Sequence, residues 1–172
     1  MQALVVYESM FGDNRDVAQA IAKGLESAGV TATAVEVGVA PDAVGDQIGL
    51  VVAGCPNHAW SMPRPTTRET AAKATDEPLV SPGRGIREWL GEVRLPRGVK
   101  VVAFDTRSSA PGPVVAMDHA STAVEKRLLK LGGKRLAKPQ GFTVVDMKGP
   151  LADGELDRAQ AWGVALAAKL LG

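Results

Sequence analysis

Strand and helix signals alternate along this chain from end to end, and that alternation narrows the fold more than anything else in it. Residues 3–7 form a continuous apolar run, the pattern of a strand buried on both faces. Val17, Ala18, Ala20, Ile21, Ala22 and Leu25 then recur at helical spacing, and Gly29 closes that helix. Residues 31–37 alternate as a second strand. Apolar runs at 48–53 and 99–104, and a shorter one at 142–145, supply three more. Helices are predicted over 66–74, over 85–93 with Ile86, Trp89 and Leu90 on one face, and over 121–131, where Gly132 and Gly133 stop the chain. The last helix is predicted over 155–171, with Asp153 as its N-cap.

Strands separated by helices imply an α/β fold: a parallel sheet covered on both faces, its crossovers right-handed. Five strands fit the doubly wound order 2-1-3-4-5. In that order a ligand sits beyond the carboxyl ends of strands one, three and four. The loops that matter are then 8–15, 54–65 and 105–113. Residues 75–85 read as a surface insertion ahead of a helix, and residues 1–172 as a single domain without repeats.

Composition excludes several function classes. With 172 residues and 45% hydrophobic content the chain can bury a sizeable core. Cys55 is its only cysteine, so it has no internal disulfide, and a reducing cytoplasm is the expected compartment. No apolar run approaches the ~20 residues that cross a bilayer. Lys plus Arg number 20 and Asp plus Glu 19, a net charge of +1, which argues against charge-driven binding to nucleic acid. No Gly-x-Ser-x-Gly elbow, Cys-x-x-Cys pair or metal-spaced histidine pair occurs. Strand three ends without an aspartate, which disfavours a phospho-accepting receiver domain of the same strand order.

The first loop, Ser9, Met10, Phe11, Gly12, Asp13 and Asn14, joins an apolar strand to a helix. Free N–H groups and the helix dipole gather there, and such a nest can hold a phosphate without a lysine. An ordinary strand-to-helix turn capped by Asp13 or Asn14 fits the same residues. Arg15 reads either as a cation folded over this loop or as a solvated residue of the first turn.

The run VVYESMFGDNRDVAQAIAKGL resembles the opening of the flavodoxin family, whose phosphate loop follows strand one in the pattern Thr/Ser-x-Thr-Gly-x-Thr. GCPNHAWSMPRPTTR and FDTRSSAPG stand in order at the next two loops, so the resemblance covers the whole chain. It implies FMN as cofactor, electron transfer or flavin-dependent reduction as activity, and a redox partner protein. Ser9 and Gly12 match the family loop. Phe11 replaces a hydroxyl residue, Asn14 replaces the final threonine, and Asp13 brings a carboxylate to the phosphate site.

For the second loop the resemblance implies that Pro56, Asn57, His58 and Trp60 lie against the isoalloxazine ring, with Trp60 stacked on it and the backbone of Asn57 and His58 near its N5 edge. For the third it implies backbone contacts from Thr106, Arg107, Ser108 and Ser109, with the Arg107 cation near the N1–C2 region of the ring. From the residues alone Trp60 fits equally a cover for the sheet end, and Arg107 a solvated arginine. Cys55 reads as core and His119 as a capping or surface residue. A second reading keeps the fold but loses FMN, leaving the strand ends for a partner protein or another ligand.

Overall fold

The computed structural model describes residues 1–59, 61–108 and 119–172. Trp60 and Ser109 lie outside the described residues, so the expectations placed on them do too.

The elements follow the expected alternation. Strand β1 is Gln2–Tyr7, helix α1 Asp13–Ser27, strand β2 Thr31–Glu36 and strand β3 Ile48–Pro56. Helices α2 (Pro65–Lys73) and α3 (Ile86–Glu92) precede strand β4 (Lys100–Ser108), and helix α4 is Ala120–Lys130. Strands β5 (Lys134–Arg135) and β6 (Gln140–Val144) lead to α5, Glu155–Leu171, the longest helix described.

All the ladders are parallel, in the order β2-β1-β3-β4, with β5 and β6 both on the outer edge of β4. The expected order 2-1-3-4-5 is therefore present, with one correction: its fifth position is divided. Lys134 and Arg135 pair with Lys100 and Val101, whereas residues 140–144 pair with residues 104–108. Pro139 stands between the two pieces and has no N–H to give to a ladder.

Alternate strand residues enter opposite layers. Leu4, Val6, Val51, Ala53, Val101 and Ala103 pack with Ile86, Trp89, Val124 and Leu128 of α3 and α4. Ala3, Val5, Leu50, Val52, Val102 and Phe104 pack with Val17, Ile21 and Leu25 of α1 and Ala159 and Leu166 of α5. Burial on both faces is why these strands read as unbroken apolar runs. Helices α1 and α5 meet through two glycines: a Cβ on Gly24 would collide with the carbonyl oxygen of Gln160, and one on Gly163 with that of Ile21.

Two cap assignments differ from expectation. Gly154, not Asp153, occupies the N-cap of α5, at φ 82°. Gly12, not Asp13 or Asn14, occupies that of α1, at φ 114°. In both places the entering chain takes a left-handed turn that glycine adopts without a Cβ penalty. Among the described residues no helix is long and apolar enough to cross a membrane.

Candidate functional site

The register sets the site. Tyr7 lies beside Gly54 and Pro56 beside Thr106, so β1, β3 and β4 end at one level. Beyond those ends opens a pocket of about 510 Å³, within the range of small-molecule sites. Ser9, Met10, Phe11, Asp13 and Asn14 from the first loop line it, with Pro56, Asn57 and His58 from the second and Thr106, Arg107 and Ser108 from β4. Gly12 lies behind this wall as the cap of α1.

The first loop is tightly tied. Ser9 Oγ accepts from the Gly12 N–H at 3.0 Å. The Ser9 N–H donates to Ser81 Oγ at 3.0 Å, and the Ser81 N–H returns to the Ser9 carbonyl at 2.8 Å. Val80 donates likewise to the Met10 carbonyl. The segment 75–85 lies at the surface as expected, with Ser81 and Gly85 its buried residues, and through Ser81 and Val80 it also splints the loop. Arg15 pairs with Asp16 at 2.9 Å and folds close to Gly12, with Nη2 3.1 Å from where a Cβ would stand.

Asn14 is 2% exposed. Its Nδ2 donates to Thr106 Oγ1 at 2.7 Å, while Oδ1 has no partner. The Asp13 carboxylate turns toward the chain ahead of α5, lying 2.7 Å from where a Cβ on Gly149 would stand. Burial pushes its pKa up, Asp16 adds to this, and N–H donation from Leu151 and from its own backbone opposes it.

The second loop is also largely self-satisfied. The Asn57 N–H continues the ladder to the Thr106 carbonyl at 2.9 Å, and its Oδ1 accepts from Ala120 N–H at 3.1 Å, capping α4 from a distance. His119 itself stands at that N-cap without a side-chain cap bond. The N–H and carbonyl of His58 both bond Ser61, so the backbone donors expected to face a ring edge are engaged within the protein. His58 Nδ1 meets Thr67 Oγ1 at 3.1 Å, and burial, helped by Arg68, holds its pKa below the usual imidazole value.

Arg107 is a paired cation, its side chain 24% exposed. Its Nε and Nη2 bond both carboxylate oxygens of Asp105 at 2.6 and 2.7 Å, and Asp105 is fully buried. Cys55 is a core residue, its thiol pushed well up by burial.

A fourth wall was not expected from sequence. Val144, Val145, Asp146 and Met147 close the pocket beyond β6, and Thr67, Thr70 and Ala71 line it from α2. Val145 and Met147 are 65% and 76% exposed, so no burial pattern could have marked them. The only signal was position, since β6 ends at the same level as β4.

Comparison with known proteins agrees with this architecture. No family model matches, and no curated protein matches by sequence. Solved structures do match. A flavodoxin from the domain Archaea aligns over 100% of both chains at TM-score 0.65 and 18% identity. A Streptococcus pneumoniae flavodoxin aligns over 98% of this chain and 99% of its own, at TM-score 0.65 and 12% identity. Flavodoxin 1 from Bacillus cereus aligns over 99% and 97%, at 0.61 and 14%.

The chain has the flavodoxin-like fold.

FMN, the cofactor that the flavodoxin resemblance implies, makes two demands on the pocket, one for its ring and one for its phosphate. For the ring, Met10, Pro56, Ala59, Val144 and Met147 offer apolar surface of the kind that takes an aromatic group. At the head of α1 the fit fails for a phosphate. The N–H groups of Ser9 and Gly12 are occupied by side chains of the protein itself. Asn14, whose Oδ1 is buried without a partner, and the Asp13 carboxylate line the pocket there. Among the described residues no cluster of His, Cys, Asp and Glu could hold a metal.

Proposed function

We propose that this protein binds a flavin in the pocket at the carboxyl ends of β1, β3 and β4 and moves electrons between that flavin and a partner protein in the cytoplasm. The observation that carries this reading is the convergence of three loops on one pocket, at the level where a doubly wound sheet of this strand order places its ligand. In such a protein the flavin supplies the redox chemistry, and the chain supplies position, exclusion of water and local electrostatics. The apolar side chains of the first, second and fourth walls would hold the ring. The Asp105–Arg107 pair keeps the third wall rigid and electrically balanced. FMN is the flavin that the family resemblance implies. Adding FMN or riboflavin to the purified protein is expected to quench flavin fluorescence saturably and to shift the visible absorbance bands.

A second reading, a flavodoxin-like fold that no longer uses FMN and holds another ligand or a partner protein, is favoured by the occupied amides at the head of α1. Absence of quenching with either flavin would select it.

A further inference from the structure

We propose that the pocket selects a flavin without its phosphate, binding riboflavin in preference to FMN, through a neutral hydroxyl contact to Asn14. The inference rests on the reading of the pocket as a flavin site and names the chemistry beside the head of α1.

Four observations meet there. Asn14 is nine-tenths buried and more, lines the pocket, and leaves Oδ1 without a partner while Nδ2 is held by Thr106. A buried orphan acceptor is costly unless a ligand donates to it, and a hydroxyl donates where a phosphate oxygen cannot. Second, two of the loop's donors are already engaged within the protein: Gly12 N–H on Ser9 Oγ and Ser9 N–H on Ser81 Oγ. Third, the charge is wrong for a dianion. Asp13 and Asp146 line the pocket, and the cation in its wall, Arg107, is already neutralised by buried Asp105. Arg15 is paired with Asp16 and does not line the pocket. Fourth, Phe11 presents an aromatic ring where a phosphate-binding hydroxyl would stand.

The amide of Asn14 admits two orientations, because the Thr106 hydroxyl can either accept from Nδ2 or donate to Oδ1. In the structure Nδ2 donates to Thr106 Oγ1, which leaves the oxygen for a ligand. Asn14→Asp separates the two, since it offers oxygen in either orientation.

The test is the dissociation constants of riboflavin and FMN, read by flavin fluorescence quenching, for the natural chain and for Asp13→Asn, Asn14→Asp and Asn14→Leu. Riboflavin is expected to bind the natural chain at least as tightly as FMN. Asp13→Asn is expected to tighten FMN roughly five- to tenfold and leave riboflavin unchanged, because it removes a charge without changing shape. Asn14→Asp is expected to retain riboflavin and weaken FMN further, and Asn14→Leu to weaken riboflavin about tenfold through loss of its hydrogen bond. FMN binding the natural chain tenfold more tightly than riboflavin overturns the inference but keeps the flavin reading, as does an equal change in both ligands on Asp13→Asn. Failure of both flavins to bind overturns both. Thermal unfolding of each variant shows whether it is folded, and the ratio of the two constants within one folded variant carries the answer.

Discussion

Asn14 of α1 donates through Nδ2 to the Thr106 hydroxyl on β4 across 2.7 Å, tying the head of the first helix to a strand two places away in the sheet. Both residues are buried, and both face the pocket. The bond therefore belongs to the stability of the sheet end and to the shape of the ligand site together. Thr106→Val keeps the side-chain shape and removes the hydroxyl, leaving both ends of the Asn14 amide unpaired. It is expected to cost about 1–3 kcal/mol of stability. Urea unfolding checks this, and Thr106→Ser should recover most of the loss.

The meeting of Gly24 and Gly163 is a close approach of two helix backbones that admits no side chain. Gly163→Ala should destabilise the protein by about 1–3 kcal/mol as α5 is forced off α1. Gly91 in α3 has nothing within 4 Å of where a Cβ would stand, and its φ is not positive. Gly91→Ala should therefore stabilise by up to about 1 kcal/mol. Opposite signs for the same chemical change, read from denaturation midpoints, are the expected result.

The Asp105–Arg107 pair carries a fully buried carboxylate, also bonded by Ser121 N–H at 2.9 Å. Arg107→Gln removes the cation and strands that charge. A loss of about 3 kcal/mol is expected, the low end for a broken buried pair because Arg107 is 24% exposed. Unchanged stability in this variant would return Arg107 to the solvated arginine expected from sequence.

Glu8 is fully buried at the end of β1, accepting from Ile86 N–H at 2.8 Å and from Arg68 Nη1 at 3.3 Å. Burial raises its pKa above the ordinary 4.5, although both donors and the Arg68 charge oppose the shift, while Glu88 reinforces it. The native state thus binds a proton that the unfolded chain has released, and stability falls as pH rises through the raised pKa. Glu8→Gln cannot titrate. The stability of the natural chain relative to this variant is expected to decline as pH rises from about 4.5 toward neutrality, measured by urea unfolding at successive pH values. A difference that stays constant over that span would show that Glu8 titrates normally.

Much of this architecture was legible in the chain itself. The runs at 3–7, 48–53 and 99–104 named three central strands because burial on both faces leaves no polar positions to blur them. The 155–171 helix was read to the residue because its apolar stripe is long, although its N-cap is Gly154 and not Asp153. The edge was harder. Residues 134–135 make too short a strand to carry a pattern, and they form only because β4 is already in place to pair with them.

At the site, sequence alone named eleven residues that line the pocket, from Ser9 to Ser108, since strand order decides which loops meet. What those residues do there was settled by tertiary contacts. Arg107 was a free cation on paper until Asp105, pointing the same way along β4, took its guanidinium. Asp13 lines the pocket as expected, but its carboxylate also meets the Leu151 N–H from the chain ahead of α5. Ser81, remote in sequence from the first loop, occupies the Ser9 N–H that such a nest would offer. Residue pattern determines layers and strand ends, because burial and period are local properties of the chain. Which donors and charges remain for a ligand depends on partners tens of residues away, and only the folded chain brings those within hydrogen-bond reach.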